Sequence, residues 1–310
     1  MRVSGKVERK IYFYRVNVGI DDKGQPITFD PKEEFNVISN LPFSSDNSRY
    51  LLDDDGNAIC GWVDKEDDPY HFRFGRIRRS SLPQLEQFGT LSDLPVPPDS
   101  GLVEQVHVVF FSNNIVGSEF NFHGPRLSRL GYYLRVKGNS PHPFINFETL
   151  LRHDVTSQLK RIGDIRLFDL RIRPSYISVI KEADQDLGSA FEANRKVFQN
   201  EDDGNEIQIV LHSGKSSRKL ITEKIINVVR SIIGREDLIT EASRFKLKGM
   251  NNETGRVEHI DLLHEQLISQ KQILKLNEKS RALDTSDAYN AIHSAYDELR
   301  EQIESAPSLT

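Results

Sequence analysis

Residues 103–122 read VEQVHVVFFSNNIVGSEFNF. Two apolar runs rich in Val, Ile and Phe flank Asn113-Asn114. β-Branched and aromatic residues favour strands, and asparagine accepts the positive φ of a tight turn. The segment therefore predicts a hairpin. The same pattern recurs outward in both directions. ICGWVDKEDD (59–68) starts as a strand, ends in an acidic loop and runs at once into HFRFGRIRRSS (71–81). RFKLKG and GRVEHIDLL flank MNNET and predict a further hairpin over 244–263. IYFYRVNV (11–18), IRLFDLRIR (165–173), EIQIVLHS (206–213) and QKQILKLN (270–277) also read as strands.

Helical patterns lie between them. KEEFNVISNL (32–41) follows Asp30-Pro31, a cap and first-turn pair. GPRLSRLGYYLR (124–135) carries Pro125 in its first turn, and HDVTSQLKR follows a strand-like FINFETLL. The stretch 174–198 starts at Pro174 and has a breaker at Gly188. In 219–233, Ile221, Ile225, Val228, Val229 and Ile232 share one helical face. In 286–303, Tyr289, Ile292, Tyr296, Leu299 and Ile303 make a stripe that Thr285 or Ser286 can cap.

Hairpins outnumber clean βαβ units, which argues for an α+β fold with mixed, mostly antiparallel sheets and flanking helices. Three prolines in LSDLPVPPDSG forbid regular helix there and suggest a division into 1–96 and 102–310. The acidic loop QNEDDGNE near 199–206 is a second candidate boundary.

The net charge is −5, so any polyanion site must be a local patch on an acidic background. The single cysteine, Cys60, excludes an intrachain disulfide and points to a cytosolic setting, with Cys60 as a buried core thiol. No apolar run is long enough to span a bilayer, and the charged N-terminus lacks a signal peptide's apolar stretch. Neither export nor membrane insertion is expected.

The strongest chemical clue is 71–79, with four arginines and no acid. Arg73 alternates with Phe72 and Phe74, but Arg76 and Arg78 are out of phase with it. A β-bulge at Gly75 would return them to one face. Guanidinium groups on one sheet face suit phosphates, so Arg73, Arg76, Arg78 and Arg79 are the leading nucleic-acid contacts. Seven acids at 53–55, 64 and 66–68 are the obvious competitors for them.

HSGKSSRK (212–219) lies between a strand and a helix, where phosphate-binding loops occur. Ile209 stands where the Walker pattern needs glycine, so nucleotide hydrolysis is not indicated. Lys215, Arg218 and Lys219 remain candidate phosphate contacts at a helix start. In IRLFDLRIR, Asp169 beside Arg171 and Arg173 suggests an ion-paired sheet face rather than a polyanion surface.

Weaker sets point to catalysis. Glu119, Asn121 and His123 would share a strand face, and a carboxylate with an imidazole can act as acid–base pair or as metal ligands. Asp154 and Asp164 are further candidate acids. His259, Asp261 and His264 lack the i, i+4 spacing of a zinc helix. No motif implies a cofactor, and no metal site is assigned.

The expected function is therefore a cytosolic polyanion-binding component, with nucleic acid the leading ligand, working with a protein partner or a second copy. A microbial phage-defence system is a setting that fits this class. A metal-dependent hydrolase or nuclease using Glu119, His123 and Asp154 or Asp164 is one alternative. A non-enzymatic protein-interaction module is the other.

Overall fold

The computed structural model describes residues 5–44, 47–52, 57–195, 206–213, 222–235, 238–239 and 242–306. The fold is α+β, with mostly antiparallel sheets, and it forms two compact units. One holds 1–145 with 268–298, the other 146–267 with 299–310.

The first unit contains β1 (Lys6–Asn17), α1 (Lys32–Asn40), β2 (Leu51–Leu52), β3 (Ala58–Lys65), β4 (Tyr70–Arg78), β5 (Leu85–Gln87), β6 (Thr90–Ser92), β7 (Leu102–Phe111), β8 (Ile115–Glu119) and α2 (Leu127–Lys137). The chain leaves for the second unit through β9 (Asn146–Thr149), α3 (His153–Arg161), β10 (Ile162–Ile172), α4 (Ile177–Ala183), α5 (Gln185–Arg195), β11 (Ile207–His212), α6 (Thr222–Ile233), β12 (Arg244–Asn251) and β13 (Val257–Asp261). It returns as β14 (Ile268–Leu274) and enters α7 (Thr285–Ser305).

In the first unit the strand order is β14-β1-β8-β7-β4-β3-β2, antiparallel throughout. Period-2 alternation gives this sheet two different faces. Even-numbered residues of β4 present Phe72 and Phe74 to α1 and α2. Phe35 stacks on Phe72 at 4.9 Å, and Tyr133 lies 5.4 Å from Phe74 between ring centres. Odd-numbered residues of β1, β8, β7 and β4 face α7. Phe111 stacks on Tyr296 at 4.1 Å, and His71 on Tyr289 at 4.1 Å.

Local chemistry explains the ends. Asn113 and Asn114 both adopt φ 61°, as the hairpin reading requires. Asp30 Oδ1 accepts a hydrogen bond from the Lys32 N–H at the start of α1. Helix α7 is capped by Asp284, whose Oδ1 accepts from the Asp287 N–H at 2.8 Å. That corrects the expected cap at Thr285 or Ser286, and it frees the Thr285 hydroxyl for the sheet below.

The proline-rich stretch is not the division between units. It lies inside the first, because β4 and β7 on either side of it pair along their whole length, from Tyr70↔Phe110 to Arg78↔Leu102. Hydrogen bonding across the stretch outweighs its irregular backbone.

The second unit is a four-stranded antiparallel sheet, β11-β10-β12-β13, with helices on one face. Phe168, Leu170, Phe245 and Leu247 pack there with Val155, Leu159, Ile180, Phe191 and the α6 residues Ile225, Val228, Val229 and Ile232. The α6 stripe is thus the buried face that its periodicity indicates, and Ile221 lies outside the described residues. The break expected at Gly188 falls instead at Asp184, whose Oδ1 accepts from the Leu187 N–H at 2.7 Å. Gly188 sits inside α5 for a different reason: a Cβ there would lie 2.4 Å from Lys181 Cα on α4.

Candidate functional site

The arginine strand is regular. β4 pairs with β7 without a register shift, so no bulge occurs at Gly75. Alternation therefore splits the arginines between faces. Arg73 points with His71 toward α7, and Arg76 and Arg78 continue the Phe72 and Phe74 side past the end of the core. The irregularity sits on the neighbouring strand, between Val63 and Lys65 of β3. Gly75 serves the packing instead, since a Cβ there would meet the Trp62 ring at 2.9 Å.

The β3 shift brings Asp64 to Arg73. Its two oxygens accept from Arg73 Nε at 2.6 Å and Nη2 at 2.8 Å. This fork holds the guanidinium in its charged form, raising its pKa chiefly through the hydrogen bond to Asp64. Tyr289 donates to Asp64 Oδ2 at 2.7 Å. Burial, aided by the Asp64 charge, pushes the Tyr289 hydroxyl well above its ordinary pKa. One of the feared competing acids thus does neutralise one arginine. Arg76, Arg78 and Arg79 are exposed. The Arg79 guanidinium lies over the Tyr50 ring, 4.9 Å from its centre.

A row of polar side chains crosses the α7 face. Ile11 is opposite Glu119, Arg73 opposite His107, and Trp62 opposite Arg73. His107 Nδ1 lies 3.1 Å from Glu119 Oε1, and both residues are almost wholly buried. Arg9 Nε lies 3.4 Å from Glu119 Oε2, too poorly aligned for a hydrogen bond. Thr285 Oγ1 is 3.5 Å from His107 Nε2. Further along the same face, His71 Nε2 and His293 Nε2 are 2.8 Å apart. Burial, the neighbouring His293 and Lys65 push His71 down to about 4. His293 is lowered as well, by burial and then by Lys65.

Arg9, Arg73, His107, Glu119 and Thr285 line a cavity of about 270 Å³, whose wall is completed by Val103, Glu104, Gln105, Asn121, Leu276 and residues 281–283. Sequence reasoning found Glu119 here but not its partner. His123, its expected companion, is exposed beside Phe122. The overlooked signal was a lone histidine, His107, in the apolar strand across the hairpin.

The other candidates lie elsewhere. Asp164 belongs to the second unit, 3.7 Å from Arg166. Asp154 is in α3, also in the second unit. The expected acid set therefore does not fall within one compact unit. Lys215, Arg218 and Lys219 lie outside the described residues. Asp169 forms an ion pair with Arg244 and accepts from Gln208 Nε2 at 2.6 Å, and Gln208 Oε1 accepts from Arg171 at 2.7 Å. That is the ion-paired sheet face the sequence suggests. His264 lies 3.9 Å from Asp261 and is largely exposed. Among the described residues no His, Cys, Asp or Glu group is arranged to hold a metal ion. Cys60 is free and buried, and burial raises its thiol to about 12. No helix among the described residues is long and apolar enough to cross a membrane.

A family model matches residues 61–303. The chain belongs to DUF6731, a family of unknown function. The family match spans the β4 arginines, His107, Glu119 and Thr285, and leaves Arg9 outside it. No curated protein matches the chain.

Proposed function

We propose that this protein is a cytosolic polyanion-binding component of a larger assembly, with nucleic acid as the polyanion. Arg76, Arg78 and Arg79 at the end of β4 are the contacts, and Arg73 is withdrawn from the set. The carrying observation is the contrast in environment on one strand. Arg73 is half-buried and gripped by Asp64, whereas the three residues beyond it are exposed. Stacking over Tyr50 restrains Arg79 while leaving the edge of its guanidinium for phosphate oxygens. Phosphate contacts of this kind give position without base specificity. Lys215, Arg218 and Lys219 remain a second proposed contact on sequence grounds, and the phage-defence setting belongs to the same proposal.

The test is fluorescence anisotropy with labelled duplex DNA, single-stranded DNA and RNA, titrated with salt. The expected result is affinity that falls steeply with salt and is lost in the Arg76/Arg78/Arg79→Ala protein. Absence of binding to every probe at low salt overturns the proposal and leaves a protein-interaction module.

A further inference from the structure

The α7-side cavity has an imbalance between hydrogen-bond donors and acceptors. Its acceptors are largely engaged. Glu119 Oε1 is taken by His107, while Oε2 is ion-paired with Arg9 but has no hydrogen-bond partner. Glu104 Oε1 accepts from Arg281 at 3.3 Å, and its Oε2 accepts from Asn121 at 3.3 Å. Its donors are not. A guanidinium carries five N–H groups and no acceptor. Arg73 commits only Nε and one Nη2 hydrogen to Asp64. Arg9 forms an ion pair with Glu119, but its Nε is buried without a hydrogen-bond partner. Three arginines and two glutamates line the space, and Asp64 balances Arg73 from outside it, so the excess is one of N–H donors and not of net charge.

A ligand for such a space must bring acceptor oxygens, and those of a carboxylate or phosphate are the ones guanidinium N–H groups bind most strongly. Val103, Leu276 and Leu283 offer it an apolar wall. The volume of about 270 Å³ is at the small end for ligand sites and suits a small molecule. We propose that the cavity binds a small organic anion, its oxygens on Arg9 and Arg73 and its carbon body against Val103, Leu276 and Leu283. This site uses different residues from the β4 end and stands or falls separately from the polyanion proposal.

The test is isothermal titration calorimetry of the full chain at fixed ionic strength, with sodium hexanoate, glycerol phosphate and inorganic phosphate. The expected result is saturable one-to-one binding of hexanoate or glycerol phosphate, tighter than that of inorganic phosphate. The organic probe that binds identifies a carboxylate or a phosphate ester as the head group. Arg9→Gln should weaken binding by about tenfold or more, and Arg135→Ala, at an exposed position of α2 outside both sites, should leave it unchanged. Val103→Trp, at a partly exposed wall position, should block the space and abolish binding even where Arg9→Gln fails to fold. The proposal is overturned if no probe saturates at millimolar concentration, or if binding survives Val103→Trp.

Discussion

Arg73 and Asp64 are joined by two parallel hydrogen bonds across the β3–β4 hairpin, at 2.6 and 2.8 Å. Their side chains are 29% and 21% exposed, so the pair is neither a surface ornament nor a fully desolvated ion pair. Removing one partner leaves the other half-buried and unpaired. Asp64→Ala also strips Tyr289 of its acceptor. We expect Asp64→Ala to cost about 2 kcal/mol, measured by urea unfolding. Arg78→Ala, at an exposed position, should stay within about 0.5 kcal/mol of the parent.

The polyanion proposal makes a quantitative statement about salt. Each phosphate neutralised contributes about −0.9 to the slope of log affinity against log salt on duplex DNA. Arg76/Arg78/Arg79→Ala should therefore flatten that slope by about 2–3. An unchanged slope would place the phosphate contacts elsewhere.

The His71–His293 contact should make the first unit acid-sensitive. An unfolded histidine takes its proton near pH 6.5, whereas folded His71 does so only at about 4. Between these values the unfolded state binds more protons, so stability falls as pH is lowered through the window. Below the folded value this group removes nothing further. Melts at pH 7.5, 6, 5 and 4 should show the loss, and His71→Phe should reduce it.

Gly131 decides how closely α2 approaches the chain at Ile145. A Cβ there would lie 2.0 Å from the Ile145 carbonyl oxygen, a backbone atom that cannot swing aside. Alanine gains about 1 kcal/mol in helix propensity, but overpacking typically costs about 1–3 kcal/mol, and backbone contact places this site at the upper end. Gly131→Ala should be destabilising by about 2 kcal/mol net in urea unfolding.

Much of the fold was legible because it rests on local rules. The Asn113-Asn114 turn, the α6 stripe and the succession of hairpins all follow from residue type and periodicity. What failed depended on a neighbouring strand. The parity slip at Gly75 is real in the sequence, but alternation along β4 cannot show whether an arginine changes face or the chain bulges. The shift sits at Asp64 on β3 instead. The candidate site was half legible for a similar reason. The β7–β8 connection has three residues, pairing Phe111 with Ile115 and carrying His107 to Glu119. Arg9 and Thr285 reach the same cavity from far along the chain, and no local pattern announces that.

The pairing of β1 with β14, Lys6 against Leu274, has a consequence for biosynthesis. The strand β1 leaves the ribosome more than 250 residues ahead of β14, the partner that completes it. Until residues 268–274 emerge, Lys6–Tyr12 of β1 lacks its partner strand, and until α7 lands the Glu119–His107 row on β8 and β7 stays open to water. The second unit's sheet is made in full during that wait. Closing so long a loop is slow, and open strand edges recruit other chains. A nascent or truncated protein that stops short of β14 is thus a natural client for chaperones.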